Sequence, residues 1–365
     1  MGAGRSPAAG ACGRVPRGAA RGLAGAGVGR HARATQAATL RSHRADAFRS
    51  AHACDEPHMI DAVCTLYEGD YHHGVGALAN SLVRSGFAGV VVVAVRGERP
   101  PWAETDRSGV QRVTDALSLK FVDLDWPWHL ANYKAALMRE VFDTHAPEAG
   151  AVFYFDPDVV VLKPWRLYSE WARFGVAMCC NITPDFMPAT HPMKRRWRAI
   201  AEARGHRCRD VDHYVNSGFV GVQRADREFL DAWHDMIEAA APVGGDMEAK
   251  RLDDDKDHPF AWMDQDALNA AMLASDAPLS LQGFEAMGFH ATELAYMAHA
   301  IGDVKPWQRG FLWRRVAQGR TPRFADRQFW RFADGPIEVF PAATRRRVAL
   351  AMQAANVAAR IVPTR

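Results

Sequence analysis

Short apolar segments alternate with amphipathic ones between residues 62 and 155, and this alternation constrains the fold more than any other feature of the chain. Residues 90–95 are only valine and alanine, which is typical of a strand covered on both faces in a parallel sheet. The amphipathic segments carry apolar side chains three and four positions apart, which indicates helices. The alternation predicts an α/β fold with a mostly parallel, Rossmann-like sheet flanked by helices. The strands are predicted at residues 62–66, 90–95, 119–124 and 151–155, and the helices at residues 75–83 and 130–142.

Composition divides the 365 residues into a body with two unusual ends. Residues 1–55 are rich in alanine, glycine and arginine and have too few large apolar side chains for a core, which predicts a disordered tail. Three explanations for this tail stay open: a start codon placed too early, a flexible tail, or an organelle transit peptide. Residues 56–310 are predicted to form a single α/β domain, and residues 311–365 a basic, helical C-terminal extension.

The net charge of +3 hides an uneven distribution. Residues 1–54 carry nine arginines and one aspartate, and residues 305–365 carry thirteen basic and three acidic side chains. The body between them has a net charge of −15, which argues against a nucleic-acid partner. Aromatic side chains lie among the arginines of the C-terminal end. Two interpretations of that end stay open: a peripheral membrane contact, or packing against the domain.

Cysteine spacing and hydropathy favour a reducing compartment. The six cysteines show no C-x-x-C spacing, so neither a disulfide framework nor a zinc ribbon is indicated. The longest aliphatic run is far shorter than the about 20 residues that a membrane-spanning helix needs. The N-terminal end lacks the continuous apolar stretch of a secretory signal. We therefore expect a cytoplasmic protein, neither integral to a membrane nor secreted, whose one membrane contact would be peripheral, on the inner face.

Two carboxylates follow the strand predicted at residues 151–155. Asp156 and Asp158 are two positions apart, so their side chains project to the same side and can hold one hard cation. Five other Asp-x-Asp pairs occur in the chain, but only this pair stands between two strongly apolar runs. Ligands of open α/β sheets bind beyond the carboxyl ends of the strands, which favours this pair as metal ligands.

Two further segments place amides and carboxylates at the beginnings of predicted elements. Asn216 and Gly218 open a strand, where glycine permits close approach of the backbone and asparagine supplies an amide. Asp264 and Gln265 open a helix, where a carboxylate also complements the helix dipole. Taken alone, each segment is explained as well by local structure as by a binding site.

Four functional residue types fall within nine positions near residue 300. His299 offers an imidazole for a divalent metal, and Gly302 lets a phosphate approach the backbone. Lys305 supplies a cation for that phosphate, and Pro306 and Trp307 follow it. This combination of a metal ligand, a glycine and a cation indicates a site for a metal-bound phosphate.

These segments, in this order, resemble glycosyltransferase family 8. Its retaining GT-A enzymes include glycogenin, galactinol synthases and bacterial lipopolysaccharide galactosyl- and glucosyltransferases. The resemblance covers residues 62–307, and H-x-x-G-x-x-K-P-W at residues 299–307 is its most specific part. It implies that residues 56–310 are a GT-A catalytic domain. It also implies a metal-dependent, retaining transfer of glucose or galactose from a UDP-sugar to a glycan, lipid-linked or small-molecule acceptor.

The resemblance implies a role for each matching residue. The ligands of Mn²⁺, or of Mg²⁺, would be Asp156, Asp158 and His299. The nucleotide and donor sugar would be bound by Thr65, Leu66, Tyr71, Lys134, Asp156, Gly302 and Lys305. The catalytic residues around the transferred sugar would be Asn216, Asp264 and Gln265.

Departures from the family pattern leave alternatives open. The first turn is one residue shorter than in some members, so Tyr67 is an alternative to Tyr71 at the base. An asparagine stands where many members have an aspartate, so Asn181 and Asp185 are alternatives for a sugar contact. The basic segment 187–212 is either part of an acceptor cleft for an anionic glycan or lipid, or a solvated helix face.

Two other functions suit the same fold class. A nucleotidyltransferase that makes NDP-sugars would need a glycine-rich loop for its triphosphate, which residues 66–74 do not form. A non-catalytic sugar-nucleotide-binding protein would lack the metal ligands, whereas all three are present. Retention has two candidate routes: double displacement with Gln265 as nucleophile, or front-face attack in which the departing phosphate oxygen takes the acceptor proton. We favour the front-face route because an amide is a poor nucleophile.

Overall fold

A computed structural model describes residues 60–252, 254–255, 257–290 and 292–359. The tail predicted at residues 1–55 lies outside the described residues. The described part of the chain contains ten strands and nine α-helices, and no helix in it is long and apolar enough to cross a membrane.

Eight strands form one central sheet. The strands are β1 (Asp61–Glu68), β2 (Gly89–Arg96), β3 (Val110–Arg112), β4 (Leu117–Asp123), β5 (Ala151–Phe155), β6 (Val159–Val161), β7 (Val176–Cys180), β8 (Val215–Gln223), β9 (Leu279–Gln282) and β10 (Met297–His299). Their order is β3-β4-β2-β1-β5-β8-β7-β9, and only β3 and β8 run against the other six. The predicted α/β fold with a mostly parallel sheet is therefore confirmed.

Helices cover both faces of this sheet. They are α1 (His72–Ser85), α2 (Lys134–Glu140), α3 (Arg166–Ala172), α4 (Pro192–Ala203), α5 (Glu228–Glu238), α6 (Met263–Ala274), α7 (Phe311–Ala317), α8 (Phe324–Phe332) and α9 (Ala342–Ala358). Alternate side chains of β1 enter two different cores: Cys64 and Leu66 lie in one, and Val63 and Tyr67 in the other. A strand that is buried on both faces has no polar side, which is why its sequence shows an apolar run.

The helix predicted at residues 130–142 is wound more tightly than an α-helix at its beginning and more loosely at its end. Residues Leu130–Tyr133 form a 3₁₀ turn, α2 follows, and Val141–His145 widen into a π turn. The apolar spacing that predicted one helix is kept, because all three pieces bury the same side against the core. The change of pitch brings Lys134 to the first turn of the α-helical part.

Strands β6 and β10 pair as a small second sheet, in which His299 stands opposite Val159. Each strand has only three residues, too few for an alternation of polar and apolar side chains to show in the sequence. The pairing determines where His299 lies. Local sequence could not predict it, because more than 130 residues separate the two strands.

The C-terminal segment packs into one of the two cores. Phe329 and Trp330 of α8 are buried in the same cluster as Leu78 of α1. Asn80 of α1 donates to the carbonyls of Phe332 and Ile337 and accepts from the Ile337 N–H, each at 2.9 Å. Of the two interpretations of this segment, packing against the domain is therefore present, and its last described helix, α9, runs over residues 342–358.

Candidate active site

The opposed directions of β5 and β8 bring two polar segments to one edge of the sheet. Asp156 follows the carboxyl end of β5, and its N–H donates to the Gly218 carbonyl at 2.9 Å. Because β8 is antiparallel to β5, its amino end with Asn216 lies at the same edge. The small sheet adds His299, since Asp158 immediately precedes β6 and its carbonyl accepts from the Ala300 N–H. A cavity of about 980 Å³ opens at this edge.

Three side chains converge there in the way expected of metal ligands. One oxygen each of Asp156 and Asp158 and a ring nitrogen of His299 lie within 4.8 Å of one another. His299 Nε2 is 3.1 Å from Asp158 Oδ1 and 3.7 Å from Asp156 Oδ2. The two carboxylates therefore turn one oxygen each toward the same imidazole nitrogen.

Two buried lysines engage the other carboxylate oxygens. Lys134 Nζ is 3.0 Å from Asp156 Oδ1 and 2.8 Å from Asp264 Oδ2, and it also donates to the Ser217 carbonyl. Lys305 Nζ donates to Asp158 Oδ2 and to the Ala300 carbonyl. Both ammonium groups are almost fully buried, so these ion pairs are shielded from solvent.

The lysines keep both carboxylates ionised. Burial raises the pKa of Asp158, but Lys305 and His299 outweigh burial and hold that pKa well below its usual value. Burial also raises the pKa of Asp156, but Lys134, together with His299 and a hydrogen bond from Tyr154, outweighs burial, so the net shift is downward. Burial alone would lower the pKa of Lys134, whereas Asp156 and Asp264 raise it above the ordinary value. The two aspartates among the candidate ligands are thus anionic at neutral pH.

The donor set fits a divalent cation. Two carboxylate oxygens and one imidazole nitrogen are ligands that Mn²⁺ and Mg²⁺ accept, with oxygen in the majority. The Nδ1 atom of His299 is buried and has no hydrogen-bond partner in the described part of the chain, so the protein contacts this ring through Nε2 and the two carboxylates. Three carboxylates, two of them buried, face only two lysines here, which leaves a negative charge for a cation to neutralise.

Glycine is needed at two positions against this site. A Cβ at Gly218 would lie 2.5 Å from His299 Cε1, so only glycine admits the ring beside β8. A Cβ at Gly74 would lie 2.0 Å from the Pro157 carbonyl oxygen, so α1 can approach the turn between the two aspartates only through a glycine. Both glycines hold ligand-bearing segments close to their neighbours.

A hydrogen-bond network fixes the amide of Gln265. Its Oε1 accepts from Asn216 Nδ2 at 3.2 Å and lies 3.4 Å from the Ser217 N–H, and its Nε2 donates to the Tyr214 hydroxyl. That hydroxyl donates to Asp266 Oδ1, whose other oxygen accepts from the Trp262 N–H. Burial raises the pKa of Asp266 to about 6. The carbonyl oxygen of Gln265 is therefore already engaged by two donors.

All the residues implied by the family resemblance line the cavity except one. Thr65 is fully buried in β1, and its hydroxyl has no hydrogen-bond partner in the described part of the chain. Tyr71 is half-buried, its ring lying edge-on to Trp307 with Lys305 above it. Tyr67 also borders the cavity, but it is buried and its hydroxyl donates to the Glu98 carbonyl.

The second open alternative concerns residues after β7. Asn181 lines the cavity, and its Oδ1 accepts from Asn216 Nδ2 at 3.3 Å. Asp185 is exposed and does not line the cavity; its carboxylate accepts from the Phe186 N–H. The structure thus brings Asn181, and not Asp185, to the candidate catalytic residue Asn216.

The basic side chains of residues 187–212 mostly bond to the protein itself. Lys194 is buried and donates to two backbone carbonyls, Arg198 pairs with Asp210, and Arg204 pairs with Asp235. None of the lysine and arginine side chains of this segment lines the cavity. The side chains of the segment that do line it are those of Met187, His191, Met193 and Trp197.

Three side chains in the site escaped sequence reasoning. The Tyr154 hydroxyl donates to Asp156 Oδ1 at 2.7 Å, and Lys134 lies 5.1 Å from the centre of the same ring. Tyr214 and Asp266 hold Gln265 as described above. A tyrosine inside an apolar strand, two positions before Asp156, was the one available signal, because a buried hydroxyl requires a partner.

Comparison with known proteins finds likeness in structure but none in sequence. No protein-family model matches the chain, and no curated protein matches it. Solved structures with a similar fold include a bifunctional glycosyltransferase, WbbM, at 14% identity and a TM-score of 0.46, covering 77% of this chain and 51% of that one. The chain thus spans about half the length of WbbM.

Two structures of the galactosyltransferase LgtC are also similar. One, in complex with donor and acceptor sugar analogues, has 15% identity and a TM-score of 0.46, covering 78% of this chain and 99% of that chain. The other, an active-site mutant, has 14% identity and a TM-score of 0.44 with the same coverage. At such values the likeness says nothing about donor, acceptor or metal.

Proposed function

We propose that this protein is a metal-dependent, retaining hexosyltransferase of glycosyltransferase family 8, with a UDP-hexose as donor. One observation carries the proposal: two carboxylates and an imidazole converge in a large cavity, and buried lysines stand beside them. Such a group of metal ligands and positive charges can bind a nucleoside diphosphate and stabilise it as a leaving group. The resemblance in sequence order supplies the choice of uridine and of glucose or galactose.

Asp156, Asp158 and His299 are the proposed ligands of Mn²⁺, or of Mg²⁺. A bound divalent ion would offset the charge that develops on the leaving diphosphate. Lys305 stands on the far side of Asp158 and adds a positive charge for the same group, near the exposed backbone of Gly302. Gly302 has φ of 100°, a conformation that suits glycine and leaves room for a phosphate.

The donor's base and sugar would lie on either side of this diphosphate position. We assign the base to Tyr71 rather than Tyr67, because Tyr71 is the partly exposed ring of the two. Leu66 also lines the cavity, whereas Thr65 would support that wall from behind. Lys134 would stand between diphosphate and sugar, where it also bonds Asp264.

The network around Gln265 favours front-face attack over double displacement. A nucleophilic carbonyl oxygen needs a free lone pair, and Gln265 Oε1 already lies within reach of two N–H donors. Asp264 and Asn216 would orient hydroxyls of the transferred sugar, and Gln265 would stabilise its positive charge. The departing phosphate oxygen would take the proton of the acceptor hydroxyl, so no side chain is required as general base.

Several broader expectations join this proposal. Residues 56–310 would be the catalytic domain, and residues 311–365 a basic extension joined to its core. The exposed face of α9 carries Arg346, Arg347 and Leu350, which suits a peripheral contact with an anionic membrane on the cytoplasmic side. The acceptor would be a glycan, a lipid-linked sugar or a small molecule, and nucleic acid is not expected as a partner.

UDP release tests the proposal directly. The protein is incubated with UDP-glucose and with UDP-galactose, in Mn²⁺ and then in EDTA. We expect slow release of UDP from one donor, abolished by EDTA. Asp158→Asn should lower the rate at least about 100-fold, because it removes a charged ligand. Equal release by this variant and the native protein would disprove the metal site.

A further inference from the structure

The cavity continues from the charged site into a wall of apolar side chains. This wall, called the apolar half below, comes from the loop after β7, from α4 and from the turn before α6. It consists of Ile182, Pro184, Met187, Met193, Trp197, Ala261 and Trp262. Trp262 is 47% exposed, although Ala261 and Met263 on either side of it in the chain are buried. A ligand in the cavity can therefore reach its ring.

Polar atoms beside the apolar half are bonded to the protein. The Tyr214 hydroxyl is held between Asp266 and Gln265. Asn181 bonds Asn216 and the Thr183 carbonyl, and Trp197 Nε1 donates to the Pro259 carbonyl. A chain of sugars would need such groups for its hydroxyls, and these three side chains already bond to the protein.

The charges around the apolar half are basic. Lys250 and Arg251 border it, with Arg251 5.5 Å from the centre of the Trp262 ring. Asp266 is the carboxylate beside Tyr214, and both its oxygens accept hydrogen bonds from the protein. A cationic acceptor would therefore meet positive charge next to the apolar half, which favours a neutral or anionic acceptor.

We propose that the acceptor carries an apolar group, alkyl or aryl, directly next to the sugar or hydroxyl that receives the hexose. The accepting hydroxyl lies toward Gln265, and the apolar group rests against Met193 and Trp262. This inference rests on the proposed transferase activity and narrows its acceptor to glycosides or alcohols with an apolar substituent, rather than polar oligosaccharides.

Binding of simple glycosides tests this without turnover. Hexyl, phenyl and methyl β-D-glucopyranosides and β-D-galactopyranosides are titrated against the protein with UDP and Mn²⁺, and followed by saturation-transfer NMR. We expect the hexyl or phenyl glycoside to bind about tenfold more tightly than the methyl one, as burial of about two methylene groups would give. Whether the hexyl or the phenyl glycoside binds more tightly tells whether the apolar group of the acceptor is an alkyl chain or an aromatic ring.

Two variants show where the apolar group binds. Met193→Gln keeps the side-chain shape but adds an amide, and Trp262→Ala removes the exposed ring. Each variant should reduce the ratio of the affinity for the hexyl glycoside to that for the methyl glycoside several-fold. Phe174→Ala is the matched control, because Phe174 is 76% exposed and does not line the cavity. It should leave the ratio unchanged.

Two results would overturn the proposal: equal affinity for methyl, hexyl and phenyl glycosides, or a preference that survives in both variants. The proposed function has a separate readout, calorimetric binding of UDP with Mn²⁺. If UDP does not bind while hexyl glycosides do, the transferase assignment fails and the apolar half remains. If UDP binds and the glycosides show no preference, only the acceptor class is wrong.

Discussion

Tyr154 links a candidate ligand to a buried cation. Its hydroxyl donates to the same Asp156 oxygen that faces Lys134, so the other oxygen is left to face His299. Tyr154→Phe should therefore weaken Mn²⁺ binding about tenfold, as loss of an outer partner of a metal ligand commonly does. Electron paramagnetic resonance of free Mn²⁺ measures this affinity without any turnover.

A second buried tyrosine provides the control for Tyr154. The Tyr168 hydroxyl donates to the Tyr296 carbonyl, away from the carboxylates. Tyr168→Phe should leave the Mn²⁺ affinity as it is, although it removes a buried hydroxyl as well. If both variants bind Mn²⁺ like the native protein, Tyr154 does not orient Asp156.

The short pair β6 and β10 depends on a glycine in the neighbouring strand β8. A Cβ at Gly218 would press against the His299 ring at 2.5 Å. Gly218→Ala should lower the free energy of unfolding by about 1–3 kcal/mol, the usual cost of overpacking a filled site. Urea denaturation measures it.

Removing the His299 imidazole separates its clash with the new Cβ at position 218 from other effects of Gly218→Ala. In a His299→Ala background, the same Gly218→Ala change should cost less, because the nearest contact is gone and only Asn216 Oδ1, at 2.9 Å, remains close. An equal loss of stability with and without His299 would contradict the proposed contact.

Over the whole molecule, α8 and the turn that follows it belong to the core rather than lying on its surface. Asn80 makes three buried hydrogen bonds to backbone groups of Phe332 and Ile337. Asn80→Ala leaves these groups without partners and should cost about 3 kcal/mol of unfolding free energy. Chemical denaturation measures this, with a single cooperative transition expected.

The control for Asn80 lies on the same helix. The Ser85 hydroxyl donates only to a carbonyl of its own helix, that of Leu82. Ser85→Ala should cost less than about 1 kcal/mol, as for an ordinary local hydrogen bond. A similar loss in both variants would mean that the C-terminal segment contributes little to stability.

Local pattern was enough for the long elements and for the residue types of the site. The apolar run at residues 90–95 becomes β2, and the spacing at residues 75–83 becomes α1. Patterns failed for three-residue strands and for the helices of residues 166–172 and 192–203, where the periodicity is brief or interrupted by charged side chains. Burial of one face, rather than propensity, stabilises such short elements.

The sequence by itself determined the α/β class and the residue types that carry the candidate chemistry, because strand burial and the Asp156–Asp158 spacing are local properties. Only the tertiary structure decided which partners these residues meet. His299 reaches Asp158 through a strand pair separated by more than 130 residues, and Lys134 reaches Asp264 across a similar distance. It also paired most of the basic side chains of residues 187–212 with other groups of the protein and left Met193 and Trp262 to line the cavity. Such long-range contacts depend on how the whole chain packs, and no local pattern encodes them.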